Sequence, residues 1–157
     1  MDENPKLKLL GRSYYQELMS HTEKSVWIED VDAVYDLIDR LNETDTEICA
    51  DLFDKHPYYL RYCIFGIKIL DVNQRTLEMF KVKEKSILTE NYNVLYSDSM
   101  ELFISILVDL SRGKTSFRYP VTNLDFKGDF IDAILEGEIV ERNGQNTGLL
   151  VLTLEED

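Results

Sequence analysis

The order of hydrophobic periods along this chain predicts an α+β fold: a five-stranded antiparallel sheet with helices on one face, plus an N-terminal amphipathic helix. Three observations lead there. After Gly113 the apolar period changes from helical to alternating, as Thr115, Phe117, Tyr119 and Val121 interleave with Ser116, Arg118, Pro120 and Thr122. Asn143-Gly144 between two such runs is a strong hairpin signal. Ahead of Gly113 only two short β-prone runs interrupt helical patterns, so helices and strands are segregated.

In chain order, Leu7, Leu10, Tyr14, Tyr15 and Leu18 recur at helical spacing, which predicts one helix over Leu7–Thr22 with Gly11 as its weak point. Ser25-Val26-Trp27-Ile28-Glu29 is the first strand. Asp30 or Asp32 then caps a helix with the stripe Val34, Leu37, Ile38 and Leu41. Asn42–Asp45 breaks it. A second helix carries Ile48, Cys49, Leu52 and Phe53 and stops at His56-Pro57, with another turn or two at Tyr58–Cys63. Ile67–Val72 is the second strand, and Asn73 has the chemistry to cap Gln74–Phe80. A short helix at Lys83–Leu88 follows. Asp98 with Glu101 reads as a capping box for a long helix with Leu102, Phe103, Ile106, Leu107 and Leu110, ended by Gly113. Pro120 marks the next strand as an edge or a bulge, because it cannot donate to a ladder. Lys127-Gly128-Asp129 is a turn. Ile131, Ala133, Leu135, Gly137 and Ile139 share one face of a long strand, and Leu149–Leu154 is the last, nearly all apolar. The domain plan is a helix over 1–24 and one domain over 25–157 with a helical insertion at 31–64.

Seventeen basic side chains against thirty acidic ones give a net charge of −13 over 157 residues. Such a surface works against nucleic acid and anionic membranes, which need basic partners. No run of about 18 apolar residues occurs, so no membrane span is expected. Met1–Pro5 has neither a basic nor an apolar leader segment, and two cysteines, Cys49 and Cys63, build no disulfide framework. A cytoplasmic domain is the expectation.

At Ile69-Leu70-Asp71-Val72-Asn73-Gln74-Arg75-Thr76-Leu77-Glu78-Met79-Phe80 the sequence resembles a PAS sensory domain, with its strand, Asn and short helix ending in a bulky residue. Tyr14–Leu18 leading to Val26–Asp30 is similar to the first helix and strand of PAS modules beside bacterial and archaeal histidine kinases and diguanylate cyclases. Residues 31–64, ending in His56-Pro57-Tyr58-Tyr59-Leu60, resemble the two-helix insertion of one PAS subgroup. The likeness spans residues 13–154. A departure is the last strand, Val151–Asp157, which lacks the Asp-Ile-Thr-like triad that passes a signal to a following helix. Either the chain is cut from a longer protein, or coupling runs through the N-terminal helix.

The resemblance implies a non-catalytic sensory or regulatory module of signal transduction that binds a small ligand or a partner. Trp27, Phe80, Phe103, Leu107, Phe117, Tyr119 and Ile134 are the candidate lining of an apolar cavity for a small, mostly uncharged ligand. A filled core is the alternative, which would leave a constitutive dimerisation scaffold. Tyr14, Tyr15 and Leu18 are the candidate dimer surface, unless their helix folds back on its own sheet. No cofactor is expected. His21 and His56 read as solvated or capping side chains rather than haem ligands, and the Asn-Cys-Arg-Phe-Leu-Gln run of flavin-adduct PAS domains is absent. No metal is expected either, since Asp51, Asp54 and His56 read as an acidic helix face. Arg118 alternates with Phe117 and Tyr119 and so faces solvent. A small cone-fold enzyme would need an acid–base pair inside the sheet, where the inward positions read as apolar. No catalytic residue is expected, and a histidine kinase or diguanylate cyclase is a possible output domain.

Overall fold

The structure is a computed structural model that describes residues 4–90 and 100–157. Asn4 caps a 3₁₀ helix, Pro5–Leu10, by accepting from the Lys6 amide. Gly11 then turns to φ +81°, a conformation that interrupts the expected single helix, and α1 runs from Arg12 to Met19. Strand β1 is Ser25–Asp30. Three helices connect it to the next strand: α2 Asp32–Glu43, α3 Ala50–Lys55 and α4 Tyr58–Gly66. Neither Asp30 nor Asp32 occupies the N-cap position of α2; Val31 does. Strand β2, Lys68–Val72, leads into α5, Gln74–Phe80, and then α6, Lys85–Thr89. Helix α7 is Met100–Ser111. Strands β3 Ser116–Leu124, β4 Phe130–Arg142 and β5 Gln145–Glu156 complete the chain. Of the expected capping box, Asp98 lies outside the described residues.

The five strands form one antiparallel sheet in the order β2-β1-β5-β4-β3. Pro120 therefore sits on an edge strand, where its missing N–H costs nothing to the ladder. Asn143 and Gly144 both take positive φ, 55° and 74°, which makes the tight β4–β5 turn. Strand β5 lies centrally and is covered on both faces, which is why Leu149–Leu154 is nearly continuous in apolar side chains. Leu150, Leu152 and Leu154 join Trp27, Leu135 and Phe117 in the main core beneath α2–α7. Leu149 and Val151 join Val26 and Ile28 in a second core, closed by Leu7, Leu10 and Leu18. The N-terminal segment thus folds back over its own sheet. Gly137 faces Phe117 across β3 and β4, and the Phe117 ring occupies the space a side chain there would fill.

Asn73 locks the corner between β2 and α5. It is 1% exposed, and its Oδ1 accepts from the amides of Thr76 and Val26, both at 3.0 Å. Its Nδ2 donates to the carbonyls of Lys24 (2.9 Å), His21 (3.3 Å) and Leu18 (3.4 Å). One amide thereby ties the end of α1, the start of β1 and the first turn of α5. Asn73→Ala strands these buried groups and removes the cap. It should lower stability by about 2–4 kcal/mol in urea denaturation.

At the other end of α5, Lys81 Nζ contacts Asp125 at 2.9 Å and Asp129 at 2.7 Å. The Lys81 ammonium holds the Asp125 carboxyl below the usual carboxylate range, helped by the amides of Asp129 and Lys127. A depressed folded pKa stabilises above the unfolded value, and that contribution fades as pH falls through the folded one. Acid titration of stability should therefore lose part of its slope in Lys81→Met, read by thermal melts below pH ~4.

Candidate functional site

Alternation along β1 decides what reaches the space between the sheet and α2–α7. Ser25, Trp27 and Glu29 point inward, while Val26 and Ile28 point to the second core. Trp27 and Phe80 are fully buried and meet edge to face, with centroids 5.3 Å apart at 88°. Phe103, Leu107 and Phe117 belong to the same cluster, and Tyr119 packs against it half-buried. Burial and a hydrogen bond to Asp109 push the Tyr119 hydroxyl up to about 12. Six of the seven expected lining residues therefore come together. Ile134 does not, because it falls between the inward Ala133 and Leu135 and so faces the opposite side of the sheet.

The interior is also less apolar than the sequence suggests. Trp27 Nε1 donates to Ser25 Oγ at 3.0 Å, and Ser25 Oγ lies 2.7 Å from Thr76 Oγ1. Thr76 in turn donates to the Val26 carbonyl and to Asn73 Oδ1. Glu29 is completely buried on this same face. The expectation that inward positions are apolar or aromatic is corrected at Ser25 and Glu29. Their i, i+2, i+4 spacing with Trp27 was the available signal, but it does not say which face of an apolar strand is inside. Neither histidine joins them: His21 is exposed, and His56 is half-buried beside Tyr58 and Tyr59. Among the described residues no group of three His, Cys, Asp or Glu side chains is placed to hold a metal ion.

On the opposite face, α1 spends its apolar side chains within the chain. Leu18 is buried in the second core, and the Tyr15 hydroxyl donates to Asp71. Asp71 also takes Lys85 Nζ at 2.7 Å and its neighbour amide, Val72 N–H, at 2.8 Å. Tyr14 stays on the surface, at the wall of an open cleft of about 580 Å³ over β3–β5. Burial, with Glu138 and Glu17 nearby, raises its pKa. Arg118 faces this cleft and pairs with Glu136 at 2.8 Å. Of the expected dimer surface, Leu18 is thus committed to its own sheet, Tyr15 is tied to Asp71, and Tyr14 remains 37% exposed.

The order of elements, the sheet and the Asn73 corner define the PAS/LOV fold. A light-oxygen-voltage domain studied with a flavin analogue matches 94% of this chain over 87% of its own, at 12% identity and a TM-score of 0.61. A domain of a sensory box sensor histidine kinase/response regulator from Geobacter sulfurreducens matches 94% over 99%, at 12% identity and 0.52. The PAS domain of an HTR-like protein from Haloarcula marismortui matches 92% over 96%, at 9% identity and 0.51. No family model and no curated protein sequence matches the chain. The expectation that no cofactor is held is corrected by the first of these, since a domain of this same fold was studied through a flavin analogue. Among the described residues no helix is long and apolar enough to cross a membrane.

Cys63 is fully buried, and desolvation pushes its thiol up to about 12, whereas Cys49 is half-buried. The thiolate is the reactive form. Iodoacetamide at pH 8 should therefore modify Cys49 and leave Cys63 untouched in the folded chain, read by peptide mass mapping.

Proposed function

We propose that this chain is a non-catalytic sensory or regulatory module that holds a small ligand between its sheet and helices and passes the resulting shift to the N-terminal segment. The carrying observation is the Asn73 amide, which links α5, on the interior side, to the carbonyls of Leu18, His21 and Lys24 at the exit of α1. Trp27, Phe80, Phe103, Leu107, Phe117 and Tyr119 are the proposed contact set, with Ser25 and Thr76 as the nearby hydroxyls. A ligand that favours one packing of α5 biases the seating of α1, but only by its difference in affinity for the two packings. Histidine-kinase neighbours of the same fold support a signalling role and an attached output domain. A dimer would use Tyr14 and the open faces of β3 and β4, since Leu18 is already buried. The second reading, a scaffold with a filled core, is favoured by the edge-to-face contact of Trp27 and Phe80.

Native mass spectrometry of the purified full chain separates the two. The sensory reading expects a retained small-molecule mass, flavin included, that Leu107→Trp removes by filling the interior while the chain stays folded. A bare dimer that Leu107→Trp leaves unchanged, with Trp27 fluorescence unmoved by added flavin, supports the scaffold instead.

A further inference from the structure

Helices α2 and α4 meet closely at one end, where Gly66 lies against Ala33 with no room for another methyl group. Towards the start of α4 a cleft of about 360 Å³ opens between them at the edge of the main core. Leu37 and Leu41 are buried beneath it, and Tyr58, Tyr59 and Tyr62 form its wall. Tyr58 and Tyr62 remain 50% and 43% exposed, and the rings of Tyr58 and Tyr59 lie 4.5 Å apart. Electron-rich rings over an aliphatic floor suit the flat, weakly hydrated guanidinium group.

Two further features point to the same chemistry. The Tyr62 hydroxyl donates to Asp36 Oδ2 at 2.6 Å, and Arg40 Nε meets that same oxygen at 3.2 Å. The chain's own guanidinium therefore already sits at the rim on a carboxylate, paired with Asp36 and 69% exposed. Residues 31–66 carry eight acidic side chains against three basic ones within a chain of net charge −13, so the field of the whole protein favours a cationic partner.

We propose that this cleft receives an arginine side chain from a basic segment of a partner protein, with Arg40 as its intramolecular placeholder. The incoming guanidinium stacks on Tyr58 and Tyr62 and takes over Asp36, while Arg40 swings into solvent.

The test is a titration of the isotope-labelled full chain with a short Gly/Ser peptide carrying arginine, followed by amide shifts at about 0.15 M salt. The matched peptide carrying citrulline, equal in shape but uncharged, is the control. Saturable shifts confined to Leu37–Thr44 and Tyr58–Tyr62, absent with citrulline, are expected. Tyr62→Ala should weaken binding about fivefold or more, and Tyr62→Phe, which keeps the ring, much less. Arg40→Ala should tighten it, because Asp36 loses its competitor. Should Tyr62→Ala melt abnormally, the exposed Tyr58→Ala carries the same expectation. Shifts spread over the whole acidic surface, equal binding of the citrulline peptide, or an affinity indifferent to removal of the tyrosine rings would each overturn the proposal.

Discussion

A single buried carboxamide, that of Asn73, sits where three parts of the chain converge. Its oxygen satisfies the first turn of α5 and the β1 amide of Val26, and its nitrogen satisfies carbonyls left open where α1 ends. Nothing else of that size offers both an acceptor and two donors. The Ser25–Thr76 contact and the Trp27 indole extend the same network across the inner face of β1. Without it, the strand-to-helix corner, the seat of Trp27 and the docking of the N-terminal segment would each lose a fixed point.

Around that corner the sheet divides the molecule into two cores. The larger lies beneath α2–α7, and the smaller lies beneath the 3₁₀ helix and α1. Strand β5 serves both, through alternate leucines and valine. The two cores therefore meet through β1, β5 and Asn73. Asp71 adds a polar link on the outer side, joining Tyr15 of α1 to Lys85 of α6. Together these contacts tie the N-terminal segment to the helices that cover the other face of the sheet.

Much of this was legible in the residues. The cap at Asn73, the positive-φ turn at Asn143-Gly144, the edge position of Pro120 and the inward set Ile131, Ala133, Leu135 and Ile139 all follow from local rules of hydrogen bonding and period. Ile134 was misplaced because parity had to be assigned on a strand whose two faces both carry apolar groups. Glu29 was missed for a related reason: β1 is buried on both faces, so its pattern holds no contrast between inside and outside. Leu18 shows the limit in another way, since an apolar helix stripe announces that it will be covered without naming the cover.

By itself, then, the sequence determined the element order, the α+β class, the corner cap and the turns, because each depends on side chains a few residues apart. It also determined the acidic surface. Tertiary structure alone decided that α1 closes over its own sheet, that β5 is central, that Glu29 and Ser25 lie inside, and that three tyrosines of α4 face Arg40 of α2. Those outcomes join residues tens to more than a hundred positions apart. Their free energies depend on which surfaces meet, and no local period encodes that.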